Sequence, residues 1–156
     1  MTVLQGRLTD RDAWSAMGEC PIEKTMALLG TKSAMLILRE AYYGTTRFED
    51  FCHRVGITRA AAAARLNDLV DAGLLTRRPY REPGQRAREE YVLTPAGVDF
   101  MPVVWAMFEW GRRHLPTRSR LRLAHAGCGA EATVEIRCAE GHQVPADELA
   151  VRVGNR

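Results

Sequence analysis

Two runs of helical apolar spacing around a glycine turn, an arginine-tipped hairpin directly behind them, and a long apolar helix after that predict the fold class. The expectation is a mainly α, α+β chain: a winged helix-turn-helix with a long C-terminal dimerisation helix and a small C-terminal β appendage. The pattern divides into an N-terminal arm over 1–18, the winged domain with its dimerisation helices over 19–115, and the appendage over 116–156.

Residues 1–18 carry a weak pattern, with Trp14 and Met17 as candidate anchors, and order is expected to begin near Cys20. Pro21 suits the first turn of a helix whose Ile22, Met26 and Leu29 share a face and which Gly30 ends. A second helix from about Lys32 to Tyr43 sets Met35, Leu36, Leu38 and Tyr42 against the core, and Gly44 closes it. Phe48, Phe51 and Val55 then stack on one face of a short helix that begins at Arg47 and stops at Gly56. Thr58 stands in the N-cap position of the next helix, which runs to about Asp71 and ends at Gly73. Ala62, Leu66, Leu69 and Val70 form its inner face, leaving Arg59, Ala60, Ala61, Ala63, Ala64 and Arg65 toward the front or flank. The alanine run favours helix, and it lets the backbone approach base edges closely, with thymine methyls as apolar contacts.

The hairpin follows at once. Leu74 to Tyr80 leads in, a strand from Glu89 to Leu93 returns, and the turn between them carries Arg81, Arg86 and Arg88. A lone basic hairpin tip is usually just solvated. Directly behind a helix-turn-helix it reads as a wing that lies along phosphates or enters a minor groove. Thr94 caps a helix from Pro95 to about His114 with Val98, Met101, Val104, Trp105, Phe108 and Trp110, more apolar surface than one small domain covers, which points to a second copy of the chain. The same aromatic interface could hold a small effector, although packing alone explains it equally well. Beyond the polar connector Pro116 to Arg120, strands are expected over Leu121 to Ala124, Thr133 to Arg137 and around Leu149 to Val153.

Composition bounds the partners. At 46% hydrophobic, 156 residues support one core and a small appendage. A net charge of +3 is a weak global signal for nucleic acid, so the inference rests on where the arginines sit; the only lysines are Lys24 and Lys32. No stretch approaches a membrane span and the N-terminus lacks a signal-peptide core, so a cytoplasmic chain without membrane partners is expected. His53, His114, His125 and His142 have no partners at triad spacing and no phosphate-cradling glycine loop is present, which argues against an enzyme.

In this order and spacing, Cys20-Pro21, Leu29-Gly30-Thr31-Lys32, Gly44 with Arg47-Phe48, Ile57-Thr58, Arg65-Leu66, Leu69, Gly73-Leu74-Leu75 with Arg77 and Tyr80, Tyr91-Val92-Leu93-Thr94, Ala96-Gly97 and Trp110-Gly111 form a composite motif. From Cys20 to about Leu115 the chain resembles the HxlR-type winged helix-turn-helix transcriptional regulators of bacteria. Ser33 departs from the family's usual tryptophan, at a position outside the DNA-reading parts. The resemblance implies a homodimer, paired through its N- and C-terminal helices, that binds an inverted-repeat operator in double-stranded DNA and most often represses. Two recognition helices about 34 Å apart would then enter successive major grooves. Candidate contacts are Arg59, Ala60, Ala61, Ala63 and Arg65 at or near bases, Thr58 and Asn67 at the backbone, and Arg81, Arg86 and Arg88 on the wing. The alternative is a winged-helix protein-interaction module that uses the same surface without DNA.

In family members that sense oxidants, a cysteine at the position of Cys20 is the reactive group. Here it precedes a helix N-terminus with Lys24 one turn on, a setting that activates thiols. Cys52 reads as a small core residue. In the tail, His125-x-x-Cys128 and Cys138-x-x-x-His142, each beside glycine, resemble the two knuckles of a zinc ribbon. Gly141 stands where the second cysteine of the last knuckle belongs, and His142 comes one position late. The preferred reading is a degenerate ribbon without metal; a closed zinc site and a Cys128–Cys138 disulfide are the alternatives.

Overall fold

The computed structural model describes residues 1–12, 15 and 18–154, and the candidate anchors Trp14 and Met17 lie outside them. The chain divides into two compact units, Pro21–Trp110 and a second one made of Met1–Cys20 with Gly111–Arg156.

The first unit holds the winged domain. Its helices are α1 (Pro21–Leu29), α2 (Lys32–Tyr42), α3 (Phe48–Val55) and α4 (Arg59–Asp71). The hairpin follows the strand β1 (Val3–Leu4) in chain order: β2 (Leu75–Tyr80) pairs antiparallel with β3 (Arg88–Leu93), in a register that sets Arg78 opposite Glu90. Thr31 caps α2 by accepting the Ala34 N–H at 3.2 Å, and Gly56, at φ 72°, closes α3 in the left-handed region. Phe51, Ile37, Leu38, Leu66, Leu69 and Leu75 are the largest fully buried side chains, and Phe51 meets Tyr91 edge-on at 6.3 Å. Ile37, on no expected core face, lies inside beside Leu38, because α2 packs against both α3 and α4. The hairpin is tied to the helices through the Tyr91 N–H, which donates to the Thr46 carbonyl at 2.8 Å.

The stretch expected as one helix from Pro95 to His114 divides into α5 (Pro95–Asp99) and α6 (Met101–His114) with Phe100 between them. Pro102 is the cause: it has no N–H for the Val98 carbonyl, and its ring crowds that carbonyl. Thr94 caps α5, accepting the Gly97 N–H at 3.1 Å, and its hydroxyl donates to the Gly73 carbonyl at 2.5 Å. On α6, Trp105 stacks on Tyr43 at 5.8 Å and meets Phe108 edge-on at 6.2 Å. These two aromatics are half-buried and pack within their own chain, while Trp110 of the same helix is exposed. A second open apolar face involves α1. Ile22 and Met26, expected to share a helix face with Leu29, are 74% and 59% exposed, and Met107 is 54% exposed. Together with Met35, Phe100 and Val103 they line a groove of about 750 Å³ with almost no polar wall.

In the second unit β1 (Val3–Leu4) pairs in parallel with β4 (Ala150–Val151), and a 3-10 turn over Gly6–Thr9 buries Leu8. The expected separate arm over 1–18 thus shares a unit with the tail, because backbone pairing between chain ends leaves no local signature. Leu121–Ala124 and Thr133–Arg137 are not strands. They contribute only the isolated bridges Ala124↔Glu131 and Arg137↔Gln143. No helix among the described residues is long and apolar enough to cross a membrane.

Candidate nucleic-acid interface

α3 and α4 meet through a tight turn whose two ends are both capped. The Gly56 N–H donates to the Cys52 carbonyl at 3.0 Å, and Thr58 Oγ1 accepts the Ala61 N–H at 3.2 Å. That hydroxyl is engaged in the cap, which is worth about 1 kcal/mol. Burial of Ala62, Leu66 and Leu69 against the core fixes the rotation of α4. Arg59, Ala60, Ala64 and Asn67 are then exposed, while Ala61, Ala63 and Arg65 are half-buried on its flanks. Ala64 belongs to the exposed front, and Ala61 and Ala63, two of the candidate contacts, lie on the half-buried flanks.

The polar side chains of this front are held by partners within the chain. Arg59 Nη1 donates to Glu49 on α3, and its guanidinium lies 5.1 Å from the Phe48 ring centroid. Arg65 pairs with Asp68 one turn on at 2.9 Å. Asn67 Oδ1 accepts from Arg77 of β2 at 2.6 Å, so the hairpin base is bonded to the outer side of α4. The wing differs. Arg81 Nε donates to the Gln85 carbonyl across the tip at 3.1 Å. Arg86 and Arg88 are exposed, and among the described residues neither has a side-chain hydrogen bond or ion pair. The bend of the tip falls at Gly84, φ 76°.

Beneath the wing lies an acidic anchor that the sequence reading missed. Glu90 is 8% exposed, accepts from Arg78 Nε at 2.8 Å, and faces Arg47 Nη1 at 3.3 Å. Arg47 in turn lies over the Tyr80 ring, 3.1 Å from its centroid. The Arg78 hydrogen bond, then that of Thr46 and the charges of Arg78 and Arg47, hold the Glu90 carboxyl below its ordinary value against the opposing effect of burial. The signal that could have found it is the hairpin register, which places Arg78 opposite Glu90.

Cys20 is a half-buried free thiol at the residue before α1. Cys52 is also half-buried; burial, with the Glu49 charge adding, pushes its thiol up, which suits an unreactive packing residue. In the tail, His125 Nδ1 and Cys128 Sγ are 3.1 Å apart in one glycine turn, and Cys138 and His142 bracket another through the Cys138 N–H to His142 carbonyl bond at 3.0 Å. The four-ligand set is not assembled: among the described residues no group of three or more His, Cys, Asp or Glu side chains could share a metal ion.

Residues 28–119 match the family model described as HxlR-like helix-turn-helix. Rv3095 of Mycobacterium tuberculosis, an uncharacterised HTH-type transcriptional regulator, is 32% identical over 136 residues, covering 85% of each chain. The crystal structure of PA1607, a candidate transcription factor, superposes with a TM-score of 0.75 at 28% identity over 90% of this chain and 98% of that one. The redox regulator HypR in its reduced form matches with a TM-score of 0.55 at 28% identity, over 60% of this chain and 92% of its own. The capped helix pair, the exposed front of α4 and the arginine wing agree with these matches: the chain belongs to the HxlR-like helix-turn-helix family and is a DNA-binding transcriptional regulator.

Proposed function

We propose that the protein is a cytoplasmic homodimeric repressor of an inverted-repeat operator, with α4 in the major groove and the wing on the flanking backbone. The observation that carries the dimer is the apolar groove between α1 and α6, where Ile22, Met26 and Met107 stand open to solvent on a DNA-binding domain. Apolar faces of this kind are normally covered, and a second copy related by a two-fold axis covers both at once. The same axis duplicates α4, and the two copies then read half-sites about 34 Å apart. In this arrangement Arg59, Ala60, Ala64 and Asn67 face base edges, and Arg86 and Arg88 contact phosphates.

Sedimentation equilibrium tests the assembly. The wild type is expected at twice its 17.4 kDa chain mass, and Met107→Glu at the mass of one chain with its helical circular dichroism retained. A wild-type monomer at micromolar concentration contradicts the proposal.

A response to oxidants is favoured by one observation, the free Cys20 thiol at the residue before α1, together with the similarity to a redox regulator. In this reading oxidation of Cys20 alters the seating of α1 and hence the dimer. A thiol-specific oxidant is expected to weaken operator binding by the wild type and to leave Cys20→Ser unaffected; equal responses remove the sensing role.

A further inference from the structure

Arg59 occupies the first position of α4, the place from which a recognition helix reaches furthest into a groove, and its side chain is 69% exposed. A long exposed arginine samples many rotamers, and each must be given up to form a paired contact with one base. Here two groups of α3 already restrict it. Glu49 accepts from one terminal nitrogen, and Phe48, half-buried against the core, presents its ring 5.1 Å from the guanidinium. A single carboxylate contact uses only part of the five-donor fork and leaves an edge free for guanine O6 and N7. The ion pair is open to solvent on both sides, Glu49 being 62% exposed, so it adds little to fold stability. Its effect falls on the orientation of Arg59.

We propose that Glu49 is a positioning residue for sequence readout: it holds Arg59 over Phe48 in the geometry that reads a G·C pair, and so sets specificity while opposing general affinity. The opposition is electrostatic, because a carboxylate at the front of α3 repels phosphates. Removing it should tighten binding to any duplex and blur discrimination at one base pair. The proposal rests on the assignment of Arg59 as a base contact, and the experiment separates the two.

The probes are a duplex selected by the wild-type protein from a randomised pool, the same duplex with each G·C pair of a half-site changed in turn to A·T, and a random duplex of equal length. Fluorescence anisotropy is measured for wild type, Glu49→Ala, Glu49→Gln, Arg59→Ala and the Glu49→Ala/Arg59→Ala double variant. At one G·C position the wild type is expected to discriminate by about 5- to 150-fold, and Arg59→Ala to lose that discrimination. Glu49→Ala should lower it at least threefold while binding the random duplex more tightly, with Glu49→Gln between the two. In the Arg59→Ala background, Glu49→Ala should change no discrimination. Full discrimination by Glu49→Ala overturns the positioning role even if Arg59 reads the base, as does an equal effect of Glu49→Ala with and without Arg59. Full discrimination by Arg59→Ala at every G·C position overturns the base contact itself.

Discussion

Replacing Gly97 by alanine sets two effects of opposite sign against each other at one residue. Gly97 lies inside α5, where helix propensity alone predicts that alanine stabilises by about 1 kcal/mol. The structure predicts the reverse. A Cβ at Gly97 would stand 2.1 Å from the Leu74 carbonyl oxygen and 3.1 Å from Leu93 Cδ2. The Leu74 carbonyl cannot swing away freely, because it accepts the Thr94 N–H at 3.1 Å. Nor can α5 simply retreat, since the Gly97 carbonyl accepts the Tyr42 hydroxyl at 2.6 Å and its N–H is held by Thr94. Burial pushes the Tyr42 hydroxyl up to about 12, so it remains a donor at any working pH. Overpacking of this kind costs about 1–3 kcal/mol. Loss of the Tyr42 bond adds about 1 kcal/mol. Set against the propensity gain of about 1 kcal/mol, the net expectation is a loss of about 1–3 kcal/mol, which for a chain of this size lowers the thermal midpoint by roughly 3–12 °C. Urea and thermal unfolding followed by circular dichroism measure it. A Gly97→Ala variant as stable as wild type, or more so, would refute the close approach of α5 to Leu74.

Three further outcomes are expected. Glu90 has a carboxyl depressed in the folded state, so its contribution is complete above the ordinary glutamate value of 4.5 and is lost as pH falls through the lower folded value; the stability deficit of Glu90→Gln at neutral pH should therefore shrink in acid, as urea titrations at several pH values will show. Arg86→Ala and Arg88→Ala should each lower the slope of log binding constant against log salt by about one without changing which sequence is preferred; an unchanged slope removes that arginine from the phosphate contacts. Metal analysis of protein purified under reducing conditions should find less than about a tenth of an equivalent of zinc, and a full equivalent would mean that His125, Cys128, Cys138 and His142 do close on one ion.

The features legible in the sequence are those decided within a few residues. Gly56 and Thr58 mark the turn because a left-handed closure and an N-cap are local choices, and Gly84 with its arginines marks the hairpin tip for the same reason. Pro102 was equally local and would have revealed the break between α5 and α6. The pairing of Val3–Leu4 with Ala150–Val151 joins the two ends of the chain, and no pattern near either strand announces it. The buried Glu90 and the Glu49–Arg59 pair need partners from other elements, so a charged residue in the sequence looked like solvated surface. Ile22 and Met26 show the converse: an apolar stripe specifies a contact without saying which molecule supplies it. Rotation of α4 is readable from Leu66 and Leu69, which separate its inner face from the front and flanks; which of Ala60, Ala61, Ala63 and Ala64 stand at the front and which on the flanks depends on the packing of neighbouring elements.

Sequence-specific DNA binding by the α4 and wing surface is tested most directly by anisotropy titration of the intact protein with a duplex from the region upstream of its own gene, against random duplex, over a range of salt. The account predicts binding that weakens steeply as salt rises, with the upstream duplex preferred by about a thousandfold or more. Equal affinity for both duplexes, or binding indifferent to salt, would contradict it.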